Sequence, residues 1–291
     1  MTSRQALDNS EREFHFTDQD FQKIRKLIYD HAGISLSEAK KAMVYSRVAR
    51  RLRATRLTRF DEYLQLLETH DETEWEAFVN VLTTNLTAFF REQYHFPLLA
   101  DHLRQQKYRR PLKLWCSAAS TGEEPYSMAM TVVEALGSFT PPVQILATDL
   151  DTQVLQTAQA GIYEQERVEK LGPELVKRFF LKGTGSQQGL VRVRQELRDM
   201  ISFQPLNLLE PNWAIAGPFD VIFCRNVMIY FDKETQRKIL HKFVPVMHPE
   251  ALLFAGHSEN FHHSGDLFRL IGKTVYQLAG KTSNTLNTVI S

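Results

Sequence analysis

Two adjacent carboxylates, Glu123 and Glu124, sit in the stretch "CSAASTGEEPYSMAM" (Cys116 to Met130), directly after a run of very small residues. Small residues after a strand let a ligand approach the backbone, and a helix that follows offers unpaired N–H groups. One glycine stands where a dinucleotide fingerprint holds three, so a pyrophosphate cradle is not expected. A carboxylate at such a turn suits a ligand carrying an ammonium group or hydroxyls. Asp149, closing the apolar run "VQILATD", occupies the place where a carboxylate holds a ribose diol. Acids at both points without a phosphate site indicate a nucleoside that bears an amino acid, S-adenosylmethionine. Each acid also has a purely structural reading: Glu123 and Glu124 as compensation of a helix dipole, Asp149 as a helix N-cap beside Asp151 and Thr152.

The elements needed to present these acids are legible around them. "LKLWC" (Leu112 to Cys116) reads as a first strand, followed by a helix from about Pro125 to Leu136. "VQILATD" is a second strand with the helical "TQVLQTAQAG" behind it. "DVIFC" (Asp220 to Cys224) leads into the helical "KETQRKILHKFVPVM", and "ALLFAG" and "TVYQLA" are later strands. Strands alternating with helices predict a mostly parallel, doubly wound α/β sheet, whose ligands bind beyond the carboxyl ends of the strands. Between Gly161 and Phe203 the alternation is interrupted. The segment "LVRVR", punctuated by Gly183, Gly185 and Gly189, alternates apolar and basic residues with period two, which predicts an inserted hairpin with one solvated face.

From about Phe16 to Arg91 the pattern is helical instead. Thr17 or Asp18 can cap a helix carrying Phe21, Ile24, Leu27 and Ile28 on one face, with Gly33 ending it. Ser37 and Thr58 can start two more helices, and Asp71 with Glu74 resembles a capping box before "WEAFVNVLTTN". The expected division is a helical domain over 16–90, an α/β domain over 91–280 with its insert at about 161–200, and a polar tail over 281–291.

A chain of 291 residues has room for two such domains. It is 43% hydrophobic and 24% charged with a net charge of +1, the profile of a soluble protein without a nucleic-acid bias. No apolar run approaches the roughly 20 residues of a membrane span. The opening "MTSRQALDNSEREF" has early acids and no apolar core, so it does not read as a signal peptide, and a cytoplasmic protein is expected. Cys116 and Cys224 give neither a disulfide framework nor zinc spacing, and His262 and His263 lack a second ligand pair, so no metal is expected. His257 and Ser258 are adjacent, and on an extended strand they would point to opposite faces, unlike a nucleophile and its base.

Five blocks in order, "TTNLTAFFRE" (Thr83 to Glu92), "SAASTGEEPYS" (Ser117 to Ser127), "ATDLD" (Ala147 to Asp151), "FCRNVMIYF" (Phe223 to Phe231) and "LFAGHSENF" (Leu253 to Phe261), closely resemble the bacterial chemotaxis receptor methyltransferases, the CheR family. The resemblance runs from about Phe16 to Ala279. It implies a class I methyltransferase domain with a small antiparallel insert behind an all-α domain. It further implies methyl transfer from S-adenosylmethionine to glutamate side chains on the cytoplasmic helices of chemoreceptors, giving γ-glutamyl methyl esters in chemotactic adaptation and S-adenosylhomocysteine as the product. The cofactor contacts it implies are Asn85, Thr87, Arg91, Glu124, Asp149, Asn207, Leu208, Arg225, Asn226 and Val227.

A glutamate carboxylate is ionised near neutral pH and needs no general base to attack a sulfonium methyl. A donor that holds the spectator oxygen is needed, and Arg91 and Tyr230 are the candidates. Their plain alternatives are a salt bridge of Arg91 with Glu92 or Glu124 and a half-buried core ring for Tyr230. For the partner, the run from Lys40 to Arg59 carries Arg47, Arg50, Arg51 and Arg53 around the apolar stripe of Met43, Val44, Val48 and Leu52. Exposed arginines there would suit an acidic receptor helix. The insert supplies a second surface: some family members bind the C-terminal tail of receptors on a hairpin edge, which here would use Gly183, Gly185, Gly189, Arg192 and Arg194. A monomer is expected. The competing readings are a non-catalytic S-adenosylmethionine-binding adaptor, which would predict loss of Arg91 or Tyr230, and a nucleic-acid methyltransferase, which would favour a basic chain and an N/D-P-P-Y strand end.

Overall fold

The computed structural model describes residues 12–69, 71–83, 86–105 and 110–280. The chain divides into two compact units, Met1–Asn85 with Tyr230–Asp232, and Leu86–Ile229 with Lys233–Ser291.

The first unit is helical. Helix α1 (Asp18–Ala32) opens on a capping box in which the Thr17 hydroxyl accepts from the Asp20 amide and the Asp20 carboxylate accepts from the Thr17 amide, and it closes on left-handed Gly33. Ser37 starts only a 3₁₀ turn, and α2 (Lys41–Thr55) follows without a side-chain cap. Helix α3 (Phe60–Glu68) begins at Arg59 rather than Thr58, again without a cap bond; Arg59 pairs with Asp61 of its own first turn instead. Before α4 (Glu72–Leu82), Asp71 accepts from the Thr73 and Glu74 amides. Glu74 does not complete the box. Its buried carboxylate takes Arg51 at 2.6 and 3.0 Å and the Tyr63 hydroxyl at 2.6 Å, a tertiary bond that outcompetes the local one.

Phe21, Ile24, Ile28, Val44, Val48, Leu52, Tyr63 and Phe78 form the core of this unit, each fully buried aliphatic or aromatic side chain contributing about 1.5–3 kcal/mol. Residues Tyr230–Asp232 complete it. The Ser35 amide donates to the Tyr230 carbonyl at 2.7 Å, Phe231 bridges Ile34, and the Tyr29 hydroxyl donates to Asp232 at 2.8 Å.

The second unit opens with α5 (His95–Gln105), then β1 (Leu112–Cys116), α6 (Glu123–Leu136), β2 (Val143–Asp149) and α7 (Thr152–Ala160). The insert follows as β3 (Ile162–Glu164), α8 (Pro173–Phe179), β4 (Phe180–Lys182) and β5 (Leu190–Val193), after which come α9 (Gln195–Asp199), β6 (Ile201–Pro205) and β7 (Phe219–Cys224). Helix α10 (Lys233–Val246), β8 (Met247–Ala255), β9 (Phe268–Gly272) and β10 (Val275–Leu278) complete it. The main sheet runs β6-β2-β1-β7-β8-β10-β9. Its first five strands are parallel, and β10 and β9 add antiparallel at the end. Strands β1 and β7 are apolar and buried on both faces, as a parallel sheet covered by helices requires.

The insert is more than a hairpin. Strands β4 and β5 form the expected antiparallel pair, and β3 adds to the other side of β5. Val191 and Val193 point inward and Arg192 outward, the period-two reading of "LVRVR". Strand β9 was not evident in the sequence, because the turn joining it to β10 is Lys273–Thr274, both at positive φ, without the Asn-Gly or Asp-Gly that normally marks such a hairpin. Among the described residues no helix is long and apolar enough to cross a membrane.

Candidate active site

The carboxyl ends of β1, β2 and β7 meet in one crevice. After β1, the Ser117 amide donates to the Phe223 carbonyl and the Ala119 amide to the Thr148 carbonyl, both at 2.9 Å, which stitches the turn to both neighbouring strands. Ser120, at φ 47°, then aims its amide at the Asp149 carboxylate, 2.8 Å away. Burial pushes the Asp149 carboxyl up to about 6, against the pull of the Asp151 and Ser120 amides. Asp151, not Asp149, caps α7, accepting from the Gln153 and Val154 amides.

The two adjacent acids of the opening turn have separate surroundings. Glu123 is fully buried, accepts from the Thr121 hydroxyl at 2.6 Å and pairs with Arg167 of the insert. Helix-dipole compensation is thus only part of its environment. Glu124 faces the crevice floor, with Oε1 3.3 Å from the Cys116 thiol and Oε2 3.0 Å from Arg225 Nη1. Burial raises its pKa and the Arg225 guanidinium opposes that rise. Burial, with Glu124 beside it, pushes the Cys116 thiol well up, so this cysteine is a packed thiol and not a nucleophile.

Arg225 is the hub. Its side chain is fully buried just after β7, lies over the rings of Phe96 and Phe223 at 5.9 and 5.6 Å, and sits 3.0 Å from Glu124 and 3.3 Å from Glu92. Nη2 donates to the Arg91 carbonyl, whereas Nε and Nη1 have no hydrogen-bond partner among the described residues. Glu92 also accepts from the His257 amide at 3.0 Å and the Asn226 side-chain amide at 3.2 Å. Burial works to raise its pKa, but the His257 amide, Arg225 and Asn226 outweigh that and hold the carboxyl below its usual range. Asn226, at φ 59°, gives its backbone amide to Glu259 at 3.0 Å; the same carboxylate takes the Gly256 and Ile229 amides.

The remaining candidates divide by location. Asn207 folds an Asx turn onto the Leu209 amide at 2.9 Å, and Leu208 is buried beside it. Lys242 clamps that turn through the Leu208 and Glu210 carbonyls and stacks over Trp213 at 4.6 Å. Thr87 and Val227 are half-buried. The Arg91 guanidinium donates to the Leu86 carbonyl at 2.6 Å. Asn85 lies outside the described residues.

Tyr230 is carried by the helical unit and packs against its core. Of the basic run, Arg50 and Arg53 are exposed, Arg53 pairing with Glu13. Arg47 and Arg51 are half-buried and do not share the solvated face expected for the run. Arg47 donates to the Val81, Leu82 and Thr83 carbonyls at the end of α4, and Arg51 pairs with Glu74. On the insert, Gly185 and Arg192 are exposed, Gly183 and Arg194 half-buried. Sequence reasoning named Glu92 only as an alternative salt-bridge partner of Arg91 and gave Glu259, Arg167 and Lys242 no role. The first two stood inside the quoted motifs "TAFFRE" and "GHSENF", and that position was their only signal.

A parallel doubly wound sheet ending in an antiparallel hairpin, with acids after β1 and at the end of β2, defines a class I methyltransferase. The donor set fits S-adenosylmethionine: carboxylates for an ammonium and a diol, and a buried arginine, ion-paired with Glu124 and Glu92, whose Nε has no hydrogen-bond partner among the described residues. Residues 19–83 match the all-alpha domain of the CheR methyltransferases, and residues 85–277 match the SAM binding domain of the same family. The chain is 57% identical over 269 residues to chemotaxis protein methyltransferase 2 of Pseudomonas aeruginosa, covering 92% of this chain and 96% of that one. It is 53% identical over 282 residues to the chemotaxis protein methyltransferase of Escherichia coli K12, covering 96% and 94%. The chain belongs to the CheR methyltransferase family and is an S-adenosylmethionine-dependent chemotaxis methyltransferase.

Proposed function

We propose that the chain methylates glutamate side chains on the cytoplasmic helices of chemoreceptors, forming γ-glutamyl methyl esters. The observation that carries this reading is the cluster of Glu124, buried Arg225 and Glu92, with Asp149 ending β2 at the same edge of the sheet, charges that suit a sulfonium nucleoside and a carboxylate acceptor. Asp149 takes the ribose hydroxyls, Glu124 the ammonium end, and Asn207 with the Leu208 backbone the adenine edge. Arg225, Asn226, Val227 and Thr87 supply the remaining contacts; Asn85, the other candidate, lies outside the described residues.

When bound, S-adenosylmethionine supplies an activated sulfonium methyl. The acceptor glutamate is ionised near neutral pH, so no residue of this chain has to remove a proton. What the chain contributes is water exclusion and in-line placement, with reacting atoms about 3 Å apart. Arg91 offers its guanidinium to a carboxylate, either the acceptor's or the cofactor's, and Tyr230 offers its phenol to the acceptor's spectator oxygen, which leaves the attacking oxygen unquenched. On the partner side, exposed Arg50 and Arg53 steer toward an acidic receptor helix, while Arg47 and Arg51 stabilise the surface that carries them. The insert edge around Gly183, Gly185, Arg192 and Arg194 adds an extended receptor tail as a further strand.

The test is incubation with labelled S-adenosylmethionine and chemoreceptor membranes. Base-labile label on the receptor is the expected result; label on RNA or DNA, or none on the receptor, overturns the reading. A peptide matching a receptor C-terminus is expected to bind the protein at micromolar concentration, and no detectable binding removes the tail contact.

A further inference from the structure

The insert reaches back onto the two segments that carry the proposed donor contacts. The Tyr163 hydroxyl, on β3, donates to the Thr121 carbonyl at 2.7 Å. Arg167, in the 3₁₀ turn that follows β3, pairs with the Glu123 carboxylate. The rings of Tyr163 and Phe180 meet Phe89 edge-on at 5.1 and 5.4 Å, and Phe89 lies just before Arg91 and Glu92. Gly122, at φ 100°, has no space on that side: a Cβ there would come within 2.7 Å of the Tyr163 hydroxyl and 2.9 Å of Ala158 Cβ.

We propose that the insert is a positioning element of the donor site, with Arg167 and Tyr163 as its positioning residues. Through Glu123 and Thr121 they hold the 120–124 loop so that Glu124 faces the crevice and the Ser120 amide reaches Asp149. Neither residue is assigned a contact with the donor. The inference rests on the assignment of Glu124 and Asp149 to that ligand. A pair with two solvated ends would contribute little. Here the Arg167 end is 45% exposed but the Glu123 end is 0% exposed, so losing the arginine strands a buried carboxylate at the start of α6. Relaxing that charge toward water swings the loop and displaces Glu124 with it.

The test measures S-adenosylhomocysteine affinity of the full chain by calorimetric titration, alongside steady-state kinetics. Arg167→Ala is expected to weaken binding about tenfold or more, the scale of one lost hydrogen bond to a charged group. Tyr163→Phe is expected to weaken it about threefold or more, the scale of one neutral hydrogen bond. In both, KM for S-adenosylmethionine rises while KM for receptor and kcat hold. Arg167→Lys recovers most of the affinity, and so does Glu123→Gln in the Arg167→Ala background, because no charge is then stranded.

Unchanged affinity in Tyr163→Phe and in a folded Arg167→Ala overturns the proposal. So does a loss that appears in kcat alone. Should Arg167→Ala not fold, wild-type affinity in Tyr163→Phe is sufficient to refute it. Glu124→Gln separates the two levels. If it leaves affinity intact, the donor assignment itself is wrong and the inference goes with it. If it weakens affinity while Arg167→Ala and Tyr163→Phe do not, only the inference fails.

Discussion

Replacing Arg225 with methionine isolates the charge at the crevice floor. The thioether retains much of the stem packed beside Phe96 and Phe223, so little cavity opens. The charge lost is a fully buried cation 3.0 Å from one carboxylate and 3.3 Å from another. At an effective dielectric of about 20 each contact amounts to roughly 5 kcal/mol of gross attraction, against which stands the desolvation of the guanidinium. Stranding buried partners in this way typically leaves a net loss of about 3–5 kcal/mol, or about 6–20 °C in the melting temperature of a unit this size. The loss should depend on pH. Burial already raises the Glu124 pKa and Arg225 opposes that rise, so removing the arginine raises it further. A carboxyl whose folded pKa lies above its unfolded value contributes stability at low pH that is lost as the pH rises through the folded pKa. The Arg225→Met deficit is therefore smallest in acid and grows as the pH rises. Calorimetric unfolding of the ligand-free protein as a function of pH measures it, and adding Glu124→Gln should restore part of the stability and flatten the profile. A deficit under about 1 kcal/mol at every pH, the scale of a surface pair, would refute the view of Arg225 as a buried counter-ion.

With the Asp149 carboxyl pushed up to about 6, the proposed ribose contact predicts that donor affinity falls as the pH drops through that value, because the protonated acid accepts fewer hydroxyl bonds. Titrations in Asp149→Asn should show about tenfold weaker binding and no such pH dependence. Tyr63→Phe removes a 2.6 Å hydroxyl from the buried Glu74 carboxylate and should destabilise the helical unit by about 1–3 kcal/mol, read as a lower urea midpoint with an unchanged m-value. Arg91→Ala and Tyr230→Phe should each lower the rate of methyl transfer about tenfold or more with the fold retained. Near wild-type rates in both would remove them from the catalytic assignment.

Legibility in the sequence followed the range of the interactions involved. Strands β1, β2 and β7 are apolar runs bounded by turn residues, a local signal, and the positions of Glu124 and Asp149 follow from strand ends alone. Helix α5 escaped notice because Pro97 in its first turn reads as a breaker, although proline is tolerated there. The basic run on α2 read as a solvated face, yet Arg47 and Arg51 are committed to carbonyls and a carboxylate of α4, partners about thirty residues away that no periodicity reveals. Glu92 and Glu259 were invisible for the same reason. Glu92 takes the His257 amide and Glu259 the Asn226 and Ile229 amides from distant loops, and an amide leaves no mark in a sequence.

Those amides explain why this crevice carries so many buried acids. Of the described non-glycine residues at positive φ, Phe90, Glu92, Ser120 and Asn226 all belong to the loops of the crevice. Such a conformation costs about 1–3 kcal/mol at each residue and persists only where its surroundings enforce it. For three of them the enforcement is a carboxylate. Asp149 holds the Ser120 amide, Glu259 holds the Asn226 amide, and Glu92 anchors its own strained residue through the His257 amide. Phe90 is held by its amide on the Ser127 hydroxyl. An ionised carboxylate binds an amide about twice as strongly as a neutral acceptor, which is the excess needed to keep these loops in place before a ligand arrives. Burial raises the pKa of Asp149 and Glu259, so the ordered loops bind protons more readily than loosened, hydrated ones would, and holding these acids ionised costs stability as the pH rises. Loop order and donor binding are therefore tied to one set of charges.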